Sequence, residues 1–573
     1  MILKNGELKL YKDFFGFSGN FHESFCLEEV KSSSRINEFP IFKESQKTND
    51  SKQILYPDSK GQMWIPNKNP LLIAGMIWSD ATPQDYLNEL SLQLSKDDFE
   101  ILSEIDGEFS IAHASANKLI LYRNLNSQKS IFYTVREGVL YYSTSLLDLI
   151  DNESKLNKQT FAAVCMGEGA IPFDGVYSIK NGEMLLYENG TIKLSEIEKQ
   201  EIKSKKENPS VLSRKVKDYL SDSVKKRSAF FDNVSVMLSG GIDSAITLAS
   251  LAKADNKDTK FSAITWGSKD FCSNEDFEYV DKIKKMYNHK QYKLDIGKTS
   301  VIGWDSKSLF PNNHGLYFWW KKASELAMSH EIKCLFSGAG GDTMFDRELS
   351  KKIKDLNIFE KWTWFIQGVT VPYYNMGIDS LFVKKTKLIE ERRFNGPANR
   401  LLDIFSEDAI NDVKNFFMSP SSQIDLQLLT LDHELFFSNN IRHTSPYFDK
   451  KVHSLASSLT EKHTRFPFHG MEINKPILRL AFKNELPAEV VSRLAPSNFE
   501  EILYKNILLE KQNIFDFLSN SLLSQLGIID NKKLDRVFKD RVLFELNTTT
   551  IIICVNMGIW LENLIKERLI NVT

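Results

Sequence analysis

The sequence has little of what marks several large protein classes. It carries five cysteines in 573 residues, Cys26, Cys165, Cys272, Cys334 and Cys554, far apart and with no CxxC pair. So few and so scattered, they exclude a disulfide framework or a cysteine zinc site and imply buried thiols in a reducing compartment. Charge of one sign is also lacking: 73 lysines and arginines stand against 75 aspartates and glutamates, a net charge of -2. That balance gives no field to hold nucleic acid or an anionic membrane, so any anion must be bound locally. The N-terminal MILKNGELKLYKD has no secretory apolar core. The most apolar late run, Thr550 to Leu564, is interrupted by Asn556, Gly558 and Glu562 and reads as too short and too polar to span a bilayer. Internal repeats of about 20–50 residues are missing too. What remains is a cytoplasmic globular protein. Its 42% apolar and 12% aromatic content supports large cores. Its length is about four times the roughly 150 residues of a typical domain, so two or three domains are expected.

The chain changes character near residue 200. Before it, short runs such as LLIAGMIW, EFSIAHA, KLILYR, SIFYTV and VLYYSTS alternate with turn residues, the pattern of antiparallel strands. The charged stretch from Lys193 to Pro209 reads as a connector. Beyond it, VLSRKVKDYLSDSV predicts a helix, VSVML a buried strand, DSAITLASLAKA a helix, FSAIT a strand and EDFEYVDKIKKMY a helix. YKLDI, FWWKKASELAMSH and IKCLF continue the alternation. Such a series predicts a doubly wound parallel sheet, with ligands at the carboxyl ends of its strands. Past about residue 350 the pattern is mostly helical.

Ser239-Gly240-Gly241-Ile242-Asp243-Ser244 lies between a predicted strand and a predicted helix. Two glycines let backbone approach an anion closely, and the helix N-terminus points N–H groups at it. Ser239 and Ser244 can donate hydroxyl hydrogen bonds, whereas Asp243 suits a phosphate site only with a Mg²⁺ ion between them. No lysine follows, so this is not the GxxxxGK[ST] loop, and a glycine pair alone would be no more than a tight turn. IKCLF repeats the arrangement, running into Ser337-Gly338-Ala339-Gly340-Gly341-Asp342. Strand ends of one parallel sheet face a common cleft, so Asp342 and Asp243 can share a metal.

SGGIDS resembles the pyrophosphate loop of N-type ATP pyrophosphatases, and SGAGGD the second loop of the asparagine synthetase-like branch. GEFSIA, LYRNLNSQKSIFY, YYSTSLLDL and GVYSIKNGEML resemble that branch's glutaminase-like domain; IRHTSPYFD, KPILRLAF and LPAEVVSR resemble its C-terminal part. The resemblance implies an α/β protein: a glutaminase-like, Ntn-type antiparallel β-sandwich over residues 1–200, then a doubly wound ATP-pyrophosphatase domain over 208–573 with a helical C-terminal part. Glutamine-hydrolysing relatives need a cysteine at position 2, and here that residue is Ile2. Relatives without it include β-lactam synthetases and lasso-peptide cyclases, and the GGD form, length and helical tail are more similar to the cyclases. The implied activity is ATP-dependent macrolactam formation in a ribosomal peptide, with release of AMP and pyrophosphate. A small-molecule amide ligase and a non-catalytic nucleotide-binding scaffold are the alternatives.

By that resemblance Ser239, Gly240, Gly241 and Ser244 hold the ATP phosphates, Ser337, Gly338, Gly340 and Gly341 also bind ATP, and Asp243 and Asp342 hold Mg²⁺. The backbones of Leu238 and Ile264 receive the adenine. The family also places a lysine two residues after the arginine of LPxxhhxR, but Arg493 is followed by Leu494 and Ala495. Either Lys475, Arg479 or Arg493 stands in, or the correspondence is offset, or catalysis is weak. The implied partners are a precursor peptide, a leader peptidase and a leader-recognition protein. The sequence RHTSPYFD reads as a turn bordering the site, and His314, Trp319 and Trp320 as core.

Overall fold

A computed structural model describes the strand backbones Ile2–Lys4, Glu7–Lys9, Phe14–Gly19, Lys47–Thr48 and Ser51–Pro57, then residues 71–77 and 83–570 except 116–117, 126, 128, 137, 152–153, 198–206, 230, 255–259, 269–273, 298, 347–402, 418–434, 437–438, 469–470, 494–498 and 568–569. Two antiparallel sheets form the N-terminal half. One runs in the order Val176–Ser178, Phe132–Arg136, Val139–Ser143, Phe14–Gly19, Ser51–Pro57, Lys47–Thr48. The other runs Thr191–Glu196, Glu183–Glu188, Lys118–Arg123, Gly107–Ser115, Leu71–Ile77.

Side chains on a strand alternate between faces. In KLILYR, Leu119 and Leu121 therefore pack with Tyr133, Leu140 and Tyr142 of the opposite sheet. Ile120 and Tyr122 pack outward with Leu90 and Leu94 of helix Pro83–Ser95. The strand is buried on both faces, which is why it reads as a nearly unbroken apolar run. Helix Lys158–Cys165 joins the cluster holding Phe132 and Val139 of the other sheet, giving the expected sandwich its outer helical layers.

The connector expected from Lys193 begins inside a strand, because Thr191–Glu196 pairs with Glu183–Glu188. It is an edge strand with mostly exposed side chains, so its polar composition is that of a sheet edge and not of a linker. Farther along the expected connector, 198–206 lies outside the described residues, as do Cys26, Cys272, Leu494 and Ala495. The end of the expected connector is the start of a helix, capped by Asn208 and beginning at Pro209.

The C-terminal half is built on β1 (Asn233–Met237), β2 (Lys260–Gly267), β3 (Lys290–Asp295), β4 (Cys334–Phe336) and β5 (Arg442–Thr444), all parallel, in the order β3-β2-β1-β4-β5. Helices α1 (Pro209–Ser228), α2 (Ile242–Lys253), α3 (Asn274–Tyr287) and α4 (Tyr317–Ser329) alternate with the strands as predicted. The order reverses at β1: the chain winds outward to β3 on one side, then crosses to β4 and β5 on the other. The crevice between the carboxyl ends of β1 and β4 is thus the switch point where ligands bind in such sheets. β5 corrects the reading of RHTSPYFD as a turn: Arg442, His443 and Thr444 form the fifth strand, followed by the short turn Pro446–Phe448.

Helix α5 (Thr548–Lys566) corrects another expectation. It is continuous and by itself long and apolar enough to cross a bilayer, but 78% of its most apolar window is buried inside the protein. Of the interrupting residues Asn556 serves an internal contact, as do the nearby Trp560 and Asn563. Asn556 Oδ1 accepts from Gly303 N–H at 3.1 Å, Trp560 Nε1 donates to Leu309 O at 2.8 Å, and Asn563 Nδ2 donates to Ser306 O at 2.7 Å. Trp560 also packs against Phe161 and Phe173, so one core joins the two halves.

Candidate active site

The two glycine loops lie at the ends of β1 and β4 and touch. A Cβ added to Gly341 would stand 2.5 Å from Asp243 Cγ, and one added to Gly338 3.1 Å from Ser244 N. Only glycine at 341 lets the second loop come this close to the carboxylate of the first.

In the first loop, Gly240 has φ +70°, and an added Cβ would fall 2.9 Å from Tyr279 Cβ and 3.1 Å from Asp276 O. The position therefore excludes side chains on two counts. Ser239 N–H donates to Ser244 Oγ at 3.2 Å, Ser244 Oγ donates to Gly241 O at 3.2 Å, and Gly241 N–H donates to Ser239 Oγ at 3.3 Å. The serines hold the turn in shape ahead of α2. Its N-terminal N–H groups and positive dipole end supply anion-binding potential.

The second loop is braced by β5 and the turn after it. Ser337 N–H donates to Thr444 O at 2.9 Å, Ser337 Oγ pairs with His443 Nε2 at 3.0 Å, and Ser445 Oγ donates to Ala339 O at 2.5 Å. Tyr447 crosses to the first loop and donates its hydroxyl to Asp243 O at 3.1 Å. Burial and the neighbouring Asp243 and Asp342 carboxylates push the Tyr447 pKa well up, which keeps that donor protonated. His443, Ser445 and Tyr447 lie in RHTSPYFD, which the sequence places only as a turn bordering the site; nothing in it announces hydrogen bonds to loops so distant in the chain.

Lys475 joins the loops. Its ammonium pairs with Asp243 Oδ2 and, at 2.7 Å, with Asp342 Oδ1. Burial opposes the charge, but the two carboxylates outweigh it and leave the Lys475 pKa raised. Burial likewise raises the Asp243 pKa, helped by Asp342 and opposed by Lys475. Asp243 Oδ1 is buried without a hydrogen-bond partner, while the Asp342 side chain is 82% exposed.

The other two cations differ. Arg493 lies beside the first loop: a Cβ on Gly240 would be 3.1 Å from its Nη1. It pairs with Asp276 at 2.5 Å and stacks on Tyr279, 4.3 Å from the ring centre. Arg479 is turned to structure instead. It donates to Asn474 O at 2.7 Å, to Asn474 Oδ1 at 2.6 Å and to Val491 O, tying the Lys475 turn to the Ala488–Ser492 helix. Burial lowers its pKa to about 10, which still leaves it cationic at neutral pH.

Leu238 and Ile264 are bonded to each other, Leu238 N–H to Ile264 O at 2.8 Å, and Leu238 O accepts from Thr265 Oγ1 at 2.6 Å. Those backbone groups join β1 to β2 in place of facing outward as a free edge. Trp319 and Trp266 are buried and Trp320 packs edge-on against Trp266, within the core as expected. His314 accepts from Leu316 N–H through Nδ1 at 3.0 Å, and burial lowers its pKa to about 4, so it is neutral.

Among the described residues no group of three or more His, Cys, Asp or Glu side chains forms a metal cage. That suits magnesium, which is commonly bound by one or two carboxylates together with substrate phosphates. Asp243, with an oxygen unpartnered, and exposed Asp342 are the two donors available.

Fold and site together define an α/β domain with paired glycine loops at a topological switch point. The chain belongs to the asparagine synthase family, whose model matches residues 215–562, and so to a family of ATP-using amidotransferases and ligases. No curated protein matches it. Solved structures give loose likenesses. The glutamine phosphoribosylpyrophosphate amidotransferase of B. subtilis, complexed with ADP and GMP, is 14% identical over 32% of this chain and 44% of its own, TM-score 0.16. NMN synthetase from Francisella tularensis is 18% identical over 24% and 58%, TM-score 0.18. The U34-tRNA thiolase NcsA from Methanococcus maripaludis, with its [4Fe-4S] cluster, is 12% identical over 49% and 77%, TM-score 0.22. The chain thus spans about half the length of the first two, and at these scores none carries an argument.

Proposed function

We propose that this chain is an AMP-forming amide ligase of the lasso-peptide cyclase type, closing a macrolactam in a ribosomally made peptide in the cytoplasm. The observation that carries the reading is the contact of the two glycine loops at the switch point, with Asp243 and Asp342 brought to one ammonium. In the reaction a side-chain carboxylate oxygen of the peptide bonds to the α-phosphorus of ATP as the bond to the β-phosphate oxygen breaks, releasing pyrophosphate. The peptide's N-terminal amine then attacks the acyl carbon, AMP leaves, and the amine gives up a proton.

The first loop binds phosphate oxygens through the N-terminal N–H groups of α2 and the serine hydroxyls. Arg493, next to Gly240, adds positive charge. Asp243 and Asp342 would hold Mg²⁺, which offsets charge on the departing pyrophosphate. Lys475 supplies mobile positive charge in place of the family lysine absent after Arg493. Holding amine and acyl group together supplies effective molarity, and excluding water protects the adenylate. Ile2 in the nucleophile position leaves the N-terminal sandwich a structural role, with the amine coming from the peptide. A leader peptidase and a leader-recognition protein would deliver that peptide; nucleic acid and membrane have no part.

The test is to incubate the chain with ATP, Mg²⁺ and a leader-trimmed precursor encoded beside its gene. AMP, pyrophosphate and a peptide lighter by one water are expected. ADP formation, or ATP turnover without peptide, contradicts the reading.

A further inference from the structure

Lys475 stands in an unusual backbone state. Its φ of 51° and ψ of 44° are left-handed, and proline follows it. The conformation is held from several sides: Lys475 N–H donates to Thr464 O at 2.8 Å, and Lys475 O accepts from Leu478 N–H at 3.1 Å and Arg479 N–H at 3.2 Å. Strain maintained in this way at a site is a sign of use. What it achieves is visible, because it sends a 4% exposed side chain between two carboxylates that belong to different loops.

The Lys475 ammonium pairs with both carboxylates, the Arg479 guanidinium adds attraction for Asp243 from farther away, and Asp243 Oδ1 is left without a hydrogen-bond partner. A divalent cation held by Asp243 and Asp342 would crowd the Lys475 ammonium, which sits on Asp243 Oδ2 and Asp342 Oδ1 and leaves Asp243 Oδ1 open. Two cations cannot share the pair without strong repulsion at low dielectric. A lysine head is a compact charge on a flexible stem, so it can leave without backbone change.

We propose that Lys475 is a tethered counter-ion that competes with the divalent cation for the Asp243–Asp342 pair, and that metal loading drives its ammonium off the carboxylates toward the phosphates. This rests on the metal assignment made above. Lys475 thereby couples the two events: it stops the aspartates from repelling each other and the incoming triphosphate, then becomes a phosphate-facing charge once the metal has taken its place.

The experiment is a Mn²⁺ titration of the full chain without nucleotide, followed by electron paramagnetic resonance, on wild type, Lys475→Met and Asp243→Asn. Lys475→Met is expected to bind Mn²⁺ about tenfold more tightly than wild type, and Asp243→Asn to lose binding. Unchanged or weaker binding in Lys475→Met, with Asp243→Asn still abolishing it, overturns the competition and spares the metal site. Equal binding by wild type and Asp243→Asn removes the metal assignment and the competition with it. A second measurement needs no substitution at 475: amine labelling of wild type, read by peptide mass spectrometry, is expected to rise at Lys475 when Mn²⁺ is added. Labelling that stays flat at saturating Mn²⁺ overturns the proposal.

Discussion

The two glycine loops follow parallel strands and end in an aspartate on a helix, yet they are held differently. The first is held largely by its own residues: Ser239, Gly241 and Ser244 bond one another, Tyr447 adds one hydroxyl bond to Asp243 O, and α2 extends for 12 residues behind them. The second leads into a helix of only five residues, Gly341–Phe345, and takes its shape from Thr444, His443 and Ser445 of β5 and its turn. One loop is fixed largely by its own sequence and the other by a strand that arrives about a hundred residues later. The difference teaches that the second loop depends on whatever fixes β5, and that proves to be the N-terminal half.

Glu108, on the first strand position after Gly107 in the sandwich, is fully buried between Arg227 of α1 at 2.7 Å and Arg442 of β5 at 2.6 Å, with Thr444 Oγ1 at 3.3 Å. Asp449 adds a second carboxylate 3.3 Å from Arg227. The N-terminal sandwich thus braces the parallel-sheet half through buried charge.

Glu108→Gln is the sharpest way to break the comparison. Losing one member of a buried charge cluster costs about 3–5 kcal/mol, so urea unfolding is expected to shift by that much. Because β5 and its turn supply more outside bonds to the second loop than to the first, metal binding should weaken more than the stacking of Arg493 on Tyr279 beside the first. Gly341→Ala acts where the loops meet. Its Cβ would press on Asp243, and an overpacked contact of this kind costs about 1–3 kcal/mol, read as a lower melting temperature with weaker Mn²⁺ binding. His113 is the control, since it belongs to the sandwich and touches neither loop. Burial lowers its pKa to about 4, against a weaker opposing hydrogen bond from Ser91. The unfolded chain takes up a proton at the ordinary value of 6.5 that the folded chain refuses. Its contribution is therefore present above pH 6.5 and lost as pH falls toward 4. Between about pH 7 and 5.5 the loss is about 1 kcal/mol in urea titrations, and His113→Gln is expected to flatten it while leaving Mn²⁺ affinity unchanged.

The sequence made the first loop legible and left its partner's supports hidden. SGGIDS carries its glycines, serines and following helix within one short window, and the alternation from VLSRKVKDYL to IKCLF shows the sheet because each element has its own period. β5 has neither signal. It is three residues long and reads Arg-His-Thr, a composition that becomes a buried strand only because Glu108 neutralises Arg442 across 334 positions. The same holds for Lys475, which meets Asp243 over a separation of 232 residues. It holds for α5, where Asn556 looks like an interruption until it is seen to hold the backbone at Gly303. Thr191–Glu196 was obscured because an edge strand has no buried face to mark it.

The most direct measurement is a crystal structure of the full chain with Mg²⁺ and α,β-methylene ATP. The account predicts the triphosphate between residues 239–244 and 337–342, with Asp243 and Asp342 on one magnesium ion and Lys475 moved onto a phosphate oxygen. A nucleotide that contacts only one loop, or that binds away from the β1–β4 crevice, contradicts it.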